Sequence, residues 1–169
     1  MVKLVNHGKY CRFLWFEVHR QNKRLSMVYD QDAFLDQIIL HEGLELTPYK
    51  CTAGYLTIGV GRNLDDRGIT EDEARFLCKN DIKIVERELG GKFPFITGLG
   101  DARIRVLLDM AFNLGVPRLC AFQNMWRALE ERDFEEAAKE MLDSRWASQV
   151  GQRAQRLATA MRTGKLQIP

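Results

Sequence analysis

The segment from Leu46 to Asn63 constrains the fold most, because its residue pattern differs from that of both flanks. Its short apolar or β-branched pieces are separated by Gly54, Gly59 and Gly61, and Pro48 stands at the entry. Short pieces bounded by Gly and Pro are typical of strands joined by tight turns. The segment predicts a small β-hairpin or a three-stranded sheet.

Helical patterns lie on both sides of this segment. From Gln31 to Glu42 the apolar residues recur at helical spacing, and Gly43 follows where a helix would stop. Downstream, Thr70 to Glu73 has the pattern of a capping box. The helical spacing after this box predicts one long helix from Glu71 to Leu89, ending at the Gly90–Gly91 pair.

The rest of the chain is also helical in pattern. A stretch bounded by Asp101 and Gly115 is so apolar that we expect other elements to surround it almost completely. Shorter helices are predicted at about Phe122 to Glu131, Phe134 to Asp143 and Gly151 to Arg162. The predicted class is therefore α+β and predominantly helical. We expect one domain over residues 31–169, with a sheet lobe at about 43–68, a linking helix at about 70–90 and a helical lobe at about 91–165.

Length and charge limit the possible functions. The chain has 169 residues and a net charge of +2, which fits one globular domain and does not favour nucleic acid as a partner. The four cysteines lie far apart, with no neighbouring His at the spacing of metal ligands, and they are Cys11, Cys51, Cys78 and Cys120. We therefore expect reduced thiols, no metal and no disulfide framework.

Residues 1–30 differ in composition from the rest of the chain, with basic and aromatic residues mixed and Met27 as an alternative start. One interpretation is a cationic arm that contacts an anionic membrane. The other, which we expect, is a poorly ordered extension without a role. The run from Phe13 to Phe16 is too short for an export signal.

Glu42 is a candidate general acid. It stands at the predicted end of a helix, immediately before the glycine-rich segment, and so near a cleft between the two lobes. The negative end of the helix and the expected partial burial both disfavour the ionised carboxylate. A general acid needs its proton, so this position suits one.

The stretch from His41 to Leu64 reads HEGLELTPYKCTAGYLTIGVGRNL. Its pattern is Glu-Gly, then Pro-Tyr, then Thr-x-Gly-x-x-Thr-Ile-Gly-x-Gly. This pattern resembles the active-site segment of phage-type lysozymes, the endolysin muramidases that cut peptidoglycan. Later parts of this family's sequence resemble two further segments of the chain, 112–115 and 144–146, together with Arg153 and residues 162–164. The resemblance covers about residues 31–165.

The resemblance places the catalytic acid of the family on Glu42 and its catalytic threonine on Thr57. The aspartate expected nine residues after the acid is Cys51 here. A thiolate at Cys51, favoured by the neighbouring Lys50, would attack the anomeric carbon or stabilise charge there. In the alternative, Thr57 holds the attacking water and Cys51 only lines the site.

The resemblance also implies that Arg153 reaches Glu42 and holds its carboxyl group. Asn113 and Trp146 are candidates to support this junction. Each has a simpler interpretation, because Arg153 could be an exposed basic residue and the other two could belong to the core.

The family implies a two-lobed lysozyme without metal or organic cofactor. It would hydrolyse the β-1,4 bond between N-acetylmuramic acid and N-acetylglucosamine and act in host cell lysis. We expect a monomer in the host cytoplasm that reaches the wall, in the periplasm, after a holin-type protein permeabilises the membrane. Two alternatives stay open: a lytic transglycosylase that uses Glu42 alone, and a peptidoglycan-binding module without activity.

Overall fold

A computed structural model describes residues 28–166. The chain divides into two compact units between Gly68 and Ile69. Most of the N-terminal extension, residues 1–27, lies outside the described residues, so its expected lack of order stays a prediction. The predicted α+β class, predominantly helical, is confirmed by helices throughout the described chain and one small antiparallel sheet.

Helix α1, Gln31–Glu42, opens the first unit with the predicted bounds. The side chain of Asp30 accepts a hydrogen bond from the backbone N–H of Ala33 at 3.0 Å and so caps the first turn. Gly43 ends the helix with a φ of 79°, a conformation that costs glycine little. The end of α1 therefore sets the position of Glu42, which is the last residue of the helix.

The sheet has three strands, the larger of the two predicted alternatives: β1 (Glu45–Lys50), β2 (Leu56–Gly59) and β3 (Arg62–Asn63), in that spatial order. The register of β1 on β2 shifts between Glu45 and Tyr49. Pro48 lies within this irregular stretch, and its missing N–H interrupts the ladder. Because β2 is the central strand, Thr57 pairs with Tyr49 on one side and Asn63 on the other.

Helix α2, Glu71–Lys92, begins the second unit. The predicted capping box is present: Thr70 accepts from the N–H of Glu73, and the Glu73 carboxylate accepts from the N–H of Thr70. The expected end at Leu89 is wrong, because the helix continues through both glycines to Lys92. Pro94 disfavours a helical conformation at Phe93, and this stops the helix.

Helix α3, Asp101–Leu114, follows a 3₁₀ turn at Pro94–Gly98. One side of α3 lies in the core of the unit, where Val106, Leu107 and Met110 are fully buried. The expectation that other elements almost surround α3 is wrong, because Phe112 is 49% exposed. Phe112 therefore does not face the core, whereas Ile104, Leu108 and Leu114 are partly buried and pack against it.

Five further helices complete the described part of the second unit: α4 (Val116–Leu119), α5 (Gln123–Glu130), α6 (Phe134–Leu142), α7 (Arg145–Val150) and α8 (Gln152–Thr163). Helices α5, α6 and α8 agree with the predictions to within one residue at each end. Helices α4 and α7 were not predicted, since four and six residues are too few for a periodic pattern. Ser144 caps α7 by accepting from the N–H of Ala147 at 3.1 Å.

Candidate active site

Glu42 is the last residue of α1. Its carboxylate lies beside the connection between β2 and β3, where a Cβ built on Gly61 would be 4.0 Å from Oε2 of Glu42. The expected partial burial is not observed, since the Glu42 side chain is exposed. A carboxyl group in this place is open to an incoming substrate.

Cys51 lies in a tight turn between β1 and β2. Its N–H donates to the carbonyl of Tyr55 at 3.0 Å, and the N–H of Gly54 donates to the carbonyl of Cys51 at 2.8 Å. Gly54 has a φ of 87°, which this turn requires and which glycine adopts at little cost. The turn leaves the thiol half-buried.

The backbone of this turn favours the thiolate form of Cys51. Hydrogen bonds from the N–H groups of Ala53 and Tyr55 lower the pKa of the Cys51 thiol, and those from the Thr57 side chain and the Gly54 N–H lower it further. Partial burial opposes this by raising the pKa. The direction agrees with the prediction, but its cause does not, because backbone donors and Thr57 take the place expected for Lys50.

Thr57 contacts Cys51 from the central strand. Thr57 is 4% exposed, and its hydroxyl lies 3.1 Å from the carbonyl of Tyr55 and also contacts Cys51. Its one proton is donated either to that carbonyl or to the Cys51 sulfur. A buried hydroxyl with two protein partners is well placed to orient Cys51. The structure therefore brings Cys51 and Thr57 together within the first unit.

Trp146 and Asn113 are hydrogen-bonded to each other in the second unit. The indole Nε1 donates to Oδ1 of Asn113 at 3.0 Å, and Trp146 is 3% exposed. Trp146 thus belongs to the core, in agreement with the simpler of its two interpretations, and Asn113 satisfies its N–H. This contact links α7 to the C-terminal end of α3.

Arg153 pairs with Asp109 in the second unit. Both Nε and Nη2 donate to Oδ1 of Asp109, at 3.0 and 2.9 Å. The family resemblance singled out Arg153 but not Asp109, although the sequence held one signal: an acid in the interior of the apolar helix α3. The expected pairing of Arg153 with Glu42 stays a prediction, because the two residues belong to different units.

A polar cavity of about 810 Å³ in the second unit was also not predicted. Its charged lining residues are Arg118, Arg145, Glu140 and Asp143, and Trp146 forms part of its wall. Glu140, Asp143 and Arg145 lie close together along the chain, whereas Arg118 comes from α4. The approach of α4 to the other three residues leaves no signal in the sequence. A cavity lined by both signs of charge suits a polar ligand.

Residues 28–166 contain neither a metal-binding cluster nor a membrane-spanning helix. No group of three or more His, Cys, Asp or Glu side chains in that range is placed to hold a metal ion. No helix in the same range is long and apolar enough to cross a membrane.

Three relatives align with most of this chain. Probable T4-type lysozyme 1 of Dictyostelium discoideum is 28% identical over 160 residues, which cover 78% of this chain and 94% of the relative. Probable T4-type lysozyme 2 of the same organism is 25% identical, with the same coverage. The pre-baseplate central spike protein Gp5 of Enterobacteria phage T4 is 29% identical over 154 residues, or 75% of this chain but 27% of Gp5.

The family model for phage lysozyme matches residues 40–162. The match begins two residues before Glu42, includes Cys51 and Thr57, and extends to Arg162 in α8. It covers residues 40–68 of the first unit and most of the second unit. Together with the T4-type lysozyme relatives it supports a lysozyme-type, peptidoglycan-degrading activity. The chain therefore belongs to the phage lysozyme family.

Proposed function

We propose that this protein is an N-acetylmuramidase that hydrolyses the β-1,4 bond between N-acetylmuramic acid and N-acetylglucosamine in peptidoglycan. One observation carries the proposal: an exposed carboxyl group at the end of α1, Glu42, lies in the same compact unit as a turn that stabilises a thiolate, Cys51. Glycoside hydrolysis needs a proton donor for the leaving oxygen and a second group that acts at the anomeric carbon. Glu42 and Cys51 supply these two functions.

In the proposed reaction Glu42 donates its proton to the glycosidic oxygen as the bond from that oxygen to the anomeric carbon breaks. The Cys51 thiolate faces the positive charge that develops on this carbon. By one route it accepts a proton from the water that attacks the carbon. By the other it forms a carbon–sulfur bond, which water then breaks while the Glu42 carboxylate takes the proton of that water.

Thr57 acts through Cys51 in this proposal. A hydroxyl that is 4% exposed has little room to hold a reacting water, and its contacts with Cys51 and the Tyr55 carbonyl suit an orienting role. This favours Cys51, rather than Thr57 with a water, as the group that acts at the anomeric carbon.

The supporting residues of the second unit belong to the proposal as well. The resemblance to the family implies that Arg153 holds the catalytic acid for proton transfer, and this stays a prediction. The hydrogen bond between Trp146 and Asn113 stabilises the end of α3, four residues beyond Asp109.

The biological role that fits this activity is host cell lysis. We infer that the protein is made in the host cytoplasm as a monomer and acts on the wall after a holin-type protein has permeabilised the membrane.

The decisive experiment is the digestion of purified sacculi by the wild type and Glu42→Gln. We expect the variant to lower the rate by a factor on the order of 10² to 10⁴, because glutamine has the shape of the acid but cannot donate its proton. Glu45→Gln is the matched control, since Glu45 is also an exposed glutamate of the first unit, and we expect it to keep wild-type activity.

Mass spectrometry and NMR of the products separate the alternatives. Free reducing ends at muramic acid support hydrolysis, whereas 1,6-anhydro ends would identify a lytic transglycosylase. Binding to sacculi without a fall in turbidity would identify a module without activity. The anomeric configuration of the first product distinguishes water attack, which inverts it, from the covalent route, which retains it.

A further inference from the structure

The peptide group between Tyr55 and Leu56, where β2 begins, is held from both of its sides. Its carbonyl oxygen accepts from the N–H of Cys51 at 3.0 Å and lies 3.1 Å from the hydroxyl oxygen of Thr57. Its N–H donates to Oδ2 of Asp65 at 2.8 Å. A peptide group is planar, so a bond that holds its N–H also sets the direction of its carbonyl. Asp65 is therefore connected, through one rigid group, to both Cys51 and Thr57.

Tyr55 holds Cys51 with both of its backbone groups. Its carbonyl accepts from the Cys51 N–H, and its own N–H donates to the Cys51 sulfur. A rotation of the Tyr55–Leu56 peptide group would break the first of these bonds and turn the backbone that directs the second. The Leu56 N–H is thus the point at which a side chain from outside the turn controls the surroundings of Cys51.

A folded loop brings Asp65 to this point. Oδ1 of Asn63 accepts from the N–H of Asp66 at 3.1 Å, and the N–H of Leu64 donates to the carbonyl of Leu56 at 2.7 Å. Asp65 is thus flanked on both sides by residues whose backbone is already bonded. Little conformational entropy is lost when its carboxylate reaches the Leu56 N–H.

The acceptor for the Leu56 N–H is a charged side chain rather than a backbone carbonyl. A carboxylate makes a shorter and stronger hydrogen bond to an N–H than a neutral acceptor does. It also polarises the peptide group, which makes the carbonyl at the other end a better acceptor. Asp65 is exposed, so water competes for its carboxylate and the bond adds little to the stability of the unit. Its main effect is therefore on the orientation of the peptide group.

We propose that Asp65 is a positioning residue: through the Tyr55–Leu56 peptide group it holds Cys51 in the orientation in which its sulfur acts at the anomeric carbon. The inference rests on the proposed function, in which Cys51 has this task. Asp65 itself neither contacts the substrate nor transfers a proton. Without its carboxylate the backbone donors around the thiolate are less well directed, so the thiolate is less stabilised and less well aligned.

The test measures Asp65→Ala and Asp65→Asn in two assays. One is the rate of Cys51 alkylation by iodoacetamide against pH, followed by peptide mass spectrometry, and the other is steady-state cleavage of labelled peptidoglycan. In Asp65→Ala we expect the alkylation midpoint to move upward, toward pH 9.0, and kcat to fall by about tenfold with KM within about twofold. Asparagine keeps an oxygen acceptor, so Asp65→Asn should keep kcat within about threefold of the wild type.

Asp66→Ala is the matched control. Asp66 is an exposed acid in the same loop, and its backbone N–H, which the substitution keeps, donates to Asn63. We expect wild-type kcat and an unchanged alkylation midpoint. Thermal unfolding of each variant shows that the assays are run on folded protein.

The outcomes separate this inference from the proposed function. Unchanged kcat and alkylation midpoint in Asp65→Ala, with Glu42→Gln inactive, overturn the role of Asp65 and leave the muramidase proposal standing. Equal losses in Asp66→Ala overturn it too, as does a raised KM with an unchanged kcat. A raised midpoint with wild-type kcat removes Cys51 from the reaction and overturns both proposals. Full activity of Glu42→Gln overturns the proposed function alone, because the alkylation assay still reports the effect of Asp65 on Cys51.

Discussion

The guanidinium of Arg103 lies over the ring of Phe134, with Cζ 3.5 Å from the ring centroid. The same side chain donates from Nε to the carbonyl of Met161 at 2.8 Å and from Nη2 to that of Arg162 at 3.3 Å. These carbonyls belong to the last turn of α8, where a helix leaves its acceptors unpaired. One cation on α3 therefore caps α8 and packs on the first residue of α6.

Replacing Arg103 by Met should destabilise the second unit. The change keeps an apolar stem but removes two hydrogen bonds and the cation–π contact, so we expect the free energy of unfolding to fall by about 1–3 kcal/mol. Urea denaturation measures this. Arg105→Met is the control, since Arg105 has only an exposed partner at 3.6 Å, and it should cost less than about 0.5 kcal/mol. Equal effects of the two changes would contradict the capping role.

The hydrogen bond from Trp146 to Asn113 can be tested by a double-mutant cycle. Asn113→Ala leaves a buried indole N–H without its acceptor, at an expected cost of about 1–3 kcal/mol. Once Trp146→Phe has removed that N–H, the further change to Ala at position 113 should cost much less. Thermal unfolding of the four proteins gives the interaction energy, and strict additivity would refute a stabilising hydrogen bond.

Substitutions at Cys51 separate its two suggested roles. If the thiolate acts at the anomeric carbon, Cys51→Ala should lose most activity and Cys51→Asp should retain much of it, because a carboxylate supplies the same charge. Turbidity of purified sacculi is the measurement, and Cys78→Ala, which removes an exposed thiol, is the control. A fully active Cys51→Ala together with an inactive Thr57→Ala would falsify the thiolate role.

The pH dependence of Cys51 alkylation should reveal its hydrogen bonds. These hydrogen bonds lower the pKa of Cys51 below its ordinary value of 9.0, so the reaction of the folded protein with iodoacetamide should reach half its maximal rate below pH 9.0. In urea, where the hydrogen bonds are lost, this midpoint should lie nearer pH 9.0. Thr57→Val removes one donor and should move this midpoint upward, whereas Thr57→Ser should not. Peptide mass spectrometry separates Cys51 from the other cysteines. Equal midpoints in the three proteins would rule out the Thr57 contribution.

The same shift has a defined effect on stability. Because the folded chain releases the Cys51 proton first, the unfolded state binds more protons between the folded pKa and 9.0. The free energy of unfolding therefore rises with pH across this window, and the contribution is lost as pH falls through the folded pKa. Cys51→Ser should lack this part of the pH dependence in urea denaturation.

Local signals made much of the fold predictable. The capping box at Thr70, the glycine that ends α1 and the glycines between strands each act within a few residues, so the sequence displays them directly. The extension of α2 through Gly90 and Gly91 shows the limit of this reasoning. An intrinsic cost of about 1 kcal/mol per glycine was overridden by the structure around it, and Pro94 decided the end.

The candidate site was predictable only in part. Glu42, Cys51 and Thr57 lie within one short segment, so their spacing was visible in the sequence, whereas the backbone donors around Cys51 were not. Asp109 and Arg103 were missed because their partners are 44 and 58 residues away along the chain. Such pairs depend on how helices pack, and periodicity within one helix carries no information about it.

The hydrogen bonds to the Cys51 thiolate come from the backbone of the turn and from the side chain of Thr57. The leading donors to the thiolate are the N–H groups of Ala53 and Tyr55, which any residue except proline provides. The backbone of the turn can therefore donate hydrogen bonds to a negative charge on the side chain at position 51, whether sulfur or oxygen carries that charge. A substitution at position 51 that keeps the path of the backbone therefore keeps these donors.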